Sequence, residues 1–177
     1  MIRHFTDSRK GVALADQVDL RDFHEVCRWC REWTKADDTR QSLVRQVVGV
    51  YQVNQALQWE EGKISYCESL MACVIHTIMA AELLGVRLMV FGPWLSVPFQ
   101  PFDSKTFLLA TGRVLQLHFY RLAQVPGSVR WARCNDEAIS AATWSLVKLA
   151  VGAVGMPKRL EALETAMQTL VNLEFKK

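Results

Sequence analysis

His24, Cys27 and Cys30 recur at three-residue steps and therefore share one face of any helix drawn through them. Cys67, Cys73 and His76 form a second, looser group. Zinc sites take Cys-x-x-Cys pairs, usually from turns and with a second matched pair, and the second pair is missing here. Cys67 and Cys73 stand six residues apart, which does not align them on a helix. A redox role for Cys27-Arg28-Trp29-Cys30 needs a strand leading into a helix, a context this chain lacks, so buried thiols are the expectation. Neither a Gly-x-x-x-x-Gly-Lys-Ser/Thr loop nor a Gly-x-Ser-x-Gly turn occurs. His118 lies on an apolar stripe, as a core histidine does. Trp29, Trp33, Tyr51 and Trp59 have flat faces that can stack a base, although aromatic residues at helical spacing are usually core. Trp59 and Trp94 lie in less regular surroundings and suit an interface, where tryptophan is enriched.

The elements that must position these groups read as helices. Residues 1–17 show no sustained period and are expected to form an arm, with 18–177 as a single helical domain. Asp19 is the expected N-cap of a first helix, with Asp22 in its first turn, followed by the stripe Leu20, Phe23, Val26 or Cys27, Cys30 and Trp33. Ala36-Asp37-Asp38-Thr39 ends it. A second stripe runs through Leu43, Val47, Val50 or Tyr51, Asn54 and Leu57, and Gly62 marks a turn. The third helix, about Ile64 to Leu84, is apolar nearly all round and should be central; Gly85 stops it. Residues 87–103 hold Pro93, Pro98 and Pro101 and form an apolar connector, either packed across the core or a binding surface.

Three more helices are expected in 104–177. The first, capped by Asp103 or Ser104, carries Phe107, Leu108, Thr111, Val114, Leu115, His118 and Leu122 on its stripe. Asn135 caps the next, with Asp136-Glu137 in the first turn and Ile139, Ala142, Leu146, Leu149 and Ala153 inward; Pro157 opens the last. Strand-like alternation is nearly absent, so the fold class is all-α, a bundle of six to seven helices. The segments 41–85 and 107–155 share a helix–break–helix plan, as two related halves would.

Half of the 177 residues are hydrophobic and 22% are charged, enough apolar surface to offset chain entropy. The formal charge of +3 comes from 21 basic and 18 acidic residues with no basic run, so nothing points to nucleic acid. Five cysteines and no apolar export segment at Met1–Asp7 make a reducing cytoplasm the expected setting. The longest uncharged apolar stretch, Ser69–Ala81, is short of the roughly 20 residues that cross a bilayer.

From His24 to Val86 the chain resembles the MazG-like all-α nucleoside triphosphate pyrophosphohydrolases, particularly the small versions carried by phages. The resemblance rests on spacing. Trp33 in Cys30-Arg31-Glu32-Trp33 fills the place of the family's early tryptophan, Gln41 follows suitably, and the third helix closes on Leu83-Leu84-Gly85. It implies a magnesium site of acidic residues, yet the family's acidic places hold Arg45, Gln46, Gly49 or Val50, Ser69 and Ala72, with Glu68 the neighbouring acid. Magnesium wants carboxylate oxygens, and Arg45 would repel it. Arg45 and Gln46 either meet phosphate or acidic groups directly or lie on a solvated helix face; the sequence leaves both open. The second half is similar to the other part of a tandem arrangement, as in helical dUTPases, with Asp136-Glu137-Ala138-Ile139-Ser140 loosely matching the acidic motif.

The resulting expectation is a scaffold that binds rather than cuts: a MazG-like pseudoenzyme, phage-encoded, without cofactor. It would hold a host partner protein as an inhibitor, or sequester a nucleotide-like ligand without hydrolysis, as an oligomer and most simply a dimer. Its binding candidates are Trp33, Gln41, Arg45, Gln46, Trp59, Glu68 and Trp94. The competing expectation is an active magnesium-dependent pyrophosphohydrolase using Glu60, Glu61, Glu68, Asp136 and Glu137; a third is a virion or assembly component.

Overall fold

The computed structural model describes residues 18–35, 66–89, 93–125 and 127–174. Among them it holds five α-helices and no strand: α1 (Phe23–Lys35), α2 (Tyr66–Leu83), α3 (Ser104–Ala123), α4 (Asp136–Gly152) and α5 (Arg159–Glu174). Short 3-10 turns lie at Trp94–Ser96, Trp131–Cys134 and Met156–Lys158. The all-α expectation holds over these residues. The arm at 1–17, the second stripe at 43–57 and most of the first proposed half lie outside the described residues.

Helix α2 is the centre. Leu70, Met71, Val74, Ile75, Ile78 and Met79 are fully buried, and the helix packs against α1, α4 and α5. Each such side chain contributes about 1.5–3 kcal/mol by leaving water. Its few polar groups turn inward to their own helix: the Thr77 hydroxyl donates to the Cys73 carbonyl at 2.7 Å, and His76 Nδ1 lies 2.8 Å from the Ala72 carbonyl. The helix stops in a Schellman motif. Gly85, at φ +71°, donates to the Glu82 carbonyl at 3.0 Å, and the Val86 amide donates to the Ala81 carbonyl at 3.0 Å.

Helix α1 starts later than its sequence suggests. Asp22, not Asp19, caps it, accepting from the His24 amide at 3.0 Å and the Glu25 amide at 3.4 Å. Asp19 instead holds a preceding turn through the Arg21 amide at 3.1 Å, because Val18 and Leu20 must both turn into the core. The buried face of α1 is Phe23, Val26, Cys27, Trp29, Cys30 and Trp33, while Arg28 bridges Glu25 and Glu32 outside.

The connector packs across the core rather than standing off it. Val86, Leu88, Trp94 and Val97 are buried, and Phe23 meets Trp94 edge-on at 5.4 Å. Buried Arg159 ties the connector down: its Nε donates to the Val154 carbonyl at 2.9 Å, and one terminal nitrogen donates to the Leu95 and Val97 carbonyls. The Gln100 amide donates to the Gly152 carbonyl at 2.8 Å, and a Cβ at Gly152 would stand 3.1 Å from the Pro98 carbonyl oxygen. Trp94, expected at an interface, is therefore a core residue, 1% exposed.

Among the described helices α3 packs chiefly on α4. Asp103 caps α3 through the Lys105 amide and Asn135 caps α4 through the Ala138 amide, as expected. The inward stripe of α3 keeps His118 as expected and differs beside it: Leu117 and Arg121 are buried, whereas Leu122 is 68% exposed. Arg121 takes the core position because Asp136 pairs with it and the Trp131 ring lies 4.3 Å from its guanidinium carbon. Pro157 falls in the 3-10 turn that precedes α5.

Trp94→Ala lowers the free energy of unfolding by about 3–5 kcal/mol in urea titration, the cost of a large core deletion, rather than weakening self-association alone. Burial, with Arg121 second, lowers the His118 pKa to about 4, so the folded state excludes a proton that the unfolded chain accepts near pH 6.5. Stability then falls as pH drops from 6.5 toward 4. At about 1.4 kcal/mol per pH unit the loss is about 3 kcal/mol. Melting curves of His118→Leu show a flatter acid limb; a limb as steep as the parent's refutes the assignment.

Candidate functional site

The exposed face of α1, the last turn of α2 and the start of the connector enclose a cleft of about 650 Å³, a size that suits small-molecule ligands. Asp22, His24, Glu25, Arg28, Arg31, Lys35, Glu82 and Arg87 line it, with Cys27, Gly85, Val86 and Leu88. Local structure explains each placement. The period of α1 puts Arg28, Arg31 and Lys35 on the side away from its buried Trp29 and Trp33. The turn at Gly85 then reverses the chain so that Arg87 faces the same space.

Glu82 is the unusual member. It is the one charged residue between Ser69 and Leu84, and 93% of its surface is covered. It sits in the last helical turn, where the partial negative charge of the helix end disfavours a carboxylate. Burial raises its pKa, against the opposing pull of Arg31 and Lys35. Arg31 lies 3.5 Å away and is itself half-exposed, a loose pairing rather than a tight fork. A carboxyl kept in so costly a position, at the mouth of a cleft with cations around it, marks the site.

The other charges divide by role. Arg28 is held by Glu25 and Glu32, and Asp22 by the α1 amides. Lys35 and the Arg87 side chain reach no carboxylate among the described residues. The arrangement offers two or three cations to an anion and one carboxyl to a hydrogen-bond donor. It offers no activated thiol: burial raises the Cys27 pKa, with Glu82 adding to the effect, so the sulfur stays protonated. Burial likewise raises Cys30 and Cys73. Among the described residues no three His, Cys, Asp or Glu side chains converge as a metal site requires. No single described helix is long and apolar enough to cross a membrane.

The residues singled out from the sequence are not gathered here. Trp33 is buried in α1, stacked on Trp29 at 6.2 Å. Glu68 is exposed in the first turn of α2, about 20 Å of helix from Glu82. Trp94 is in the core, and Gln41, Arg45, Gln46 and Trp59 lie outside the described residues. Asp136 accepts from Arg121 and from the Arg87 amide at 3.1 Å, a structural position, while Glu137 is exposed. Glu82 was missed although its signal was visible: a single acid in an otherwise uncharged helix. Arg31 and Arg87 carried no such mark, since nothing in one dimension says that the Gly85 turn brings them together.

Comparison with protein-family models, with curated proteins and with solved structures finds no match to this chain.

Replacing Glu82 by the uncharged isostere tests the site's strain. Because the folded pKa is raised, the carboxylate weighs against folding once pH exceeds the usual carboxylate range, and the effect vanishes in acid where the group is protonated in both states. Glu82→Gln is therefore expected to melt above the parent at pH 7 and level with it near pH 3. A variant less stable at pH 7 would mean that the Arg31 pair outweighs desolvation.

Proposed function

We propose that the chain is a non-catalytic binding protein that sequesters a nucleotide-like anion in the α1–α2 cleft, on a MazG-like scaffold of phage type. The observation that carries the reading is the cleft itself. Arg31, Lys35 and Arg87 surround a space of ligand size, with the covered Glu82 carboxyl at its wall. A polyphosphate supplies oxyanions for the guanidinium groups. A base or ribose supplies N–H or O–H donors that the Glu82 oxygens can accept. Binding without cutting agrees with the side chains on hand: the cleft's sulfur is a protonated thiol, and its carboxylates at Asp22 and Glu25 already serve a cap and an ion pair. Such a protein works by lowering the free concentration of its ligand in the cytoplasm, most simply as a dimer.

The reading is tested by titrating the chain calorimetrically with each nucleoside triphosphate, and with pyrophosphate, in magnesium and in EDTA. Saturable binding without product release is expected for at least one of them. Arg31→Ala and Arg87→Ala each weaken that binding at least tenfold; Arg87→Ala leaves the melting temperature in place, whereas Arg31→Ala lowers it by the loss of the Glu82 pair. Pyrophosphate release that Glu68→Ala abolishes would replace sequestration by hydrolysis, and indifference of binding to both arginines would move the ligand elsewhere.

A further inference from the structure

Six of the nine exposed large apolar side chains among the described residues fall between 109 and 129: Leu109, Phe119, Tyr120, Leu122, Val125 and Val129. They stand on the outer side of α3 and on the turn after it. Within α3, Leu108, Gly112, Leu115, Phe119 and Leu122 follow one another at steps of four, three, four and three. That is the seam by which one helix receives another. Leu108 and Leu115 are half-buried at its inner edge, and Phe119 and Leu122 are 69% and 68% exposed.

Gly112, in the middle of the seam, has no explanation among the described residues. It is helical and exposed, and a Cβ built there meets nothing within 4 Å. Glycine weakens a helix relative to alanine. A helix lying across the seam would give it a purpose, because the missing side chain lets two backbones approach closely.

The charge around the seam has one sign. From Ser104 to Asn135 there is no acidic residue, while Lys105, Arg113, Arg130 and Arg133 are exposed. None of the four forms an ion pair among the described residues. A second copy of the same face would bring Lys105 and Arg113 against their like. An anionic bilayer would use the apolar and basic groups but would need neither the helical register nor the central glycine. We infer that the outer face of α3 docks an amphipathic helix whose apolar stripe is flanked by glutamate or aspartate, a partner site independent of the α1–α2 cleft.

The test uses the full chain and two synthetic three-heptad helices with leucine at the seam positions, one flanked by glutamate and the other by lysine. The glutamate peptide is expected to bind saturably, at least tenfold tighter than the lysine peptide. Phe119→Glu with Leu122→Glu abolishes binding, as does Gly112→Leu. Arg113→Glu weakens the glutamate peptide about tenfold and strengthens the lysine peptide. All these positions are exposed, and circular dichroism with melting curves verifies that each variant folds as the parent does. Equal binding of both peptides, or of neither, overturns the proposal. So does self-association that the double variant abolishes, which would make the occupant a second copy, or capture by phosphatidylserine vesicles in preference to the peptide.

Discussion

Because the middle of α2 offers water almost no side of its own, its neighbours are placed by the need to cover it. Residues 70 to 81 hold no charged group, and α1, α4 and α5 each bring an apolar face against them. Only the ends of such a helix can carry charge. That restriction puts Glu82 at the rim of the core instead of in it, and so puts the cleft where α2 runs out. The Schellman turn at Gly85 then carries Arg87 around to the same rim. The position of the candidate site follows from the burial of the helix behind it.

The connector obeys a second constraint, the hydrogen-bonding needs of irregular backbone in a dry place. Arg159 meets three carbonyls at once, from Leu95, Val97 and Val154, so one buried cation is stabilised by several dipoles and needs no carboxylate. Ser140 does the same on a smaller scale, accepting from the Met89 amide at 3.2 Å and donating to the Arg87 carbonyl at 3.3 Å. These contacts fix the connector against α4 and α5, and with it the side of the cleft that Arg87 and Leu88 supply.

Much of this was legible one residue at a time. Caps at Asp103 and Asn135, the stop at Gly85 and the central α2 all follow from local chemistry, because a cap or an uncharged stripe needs only its own neighbourhood. Three features needed the third dimension. The start of α1 moved to Asp22 because Val18 and Leu20 had to be buried before the helix began. The inner face of α3 kept Arg121 and released Leu122 because Asp136 and Trp131 were waiting for the cation. Trp94 went inside because Phe23 and the Arg159 clamp drew the connector across the core. The expected magnesium places fall between 45 and 72, whereas the charged cleft lies at the C-terminal end of α2.

The cysteines carry a practical consequence. Cys27, Cys30, Cys73 and Cys134 are buried, and Cys67, near the start of α2, alone among the five is partly open to solvent. A maleimide or an iodoacetamide offered to the folded chain should meet one sulfur and spare the rest. The molecule thus comes with a built-in attachment point for a single dye or spin label, far along α2 from the cleft, and its core sulfurs become countable only when the fold is lost.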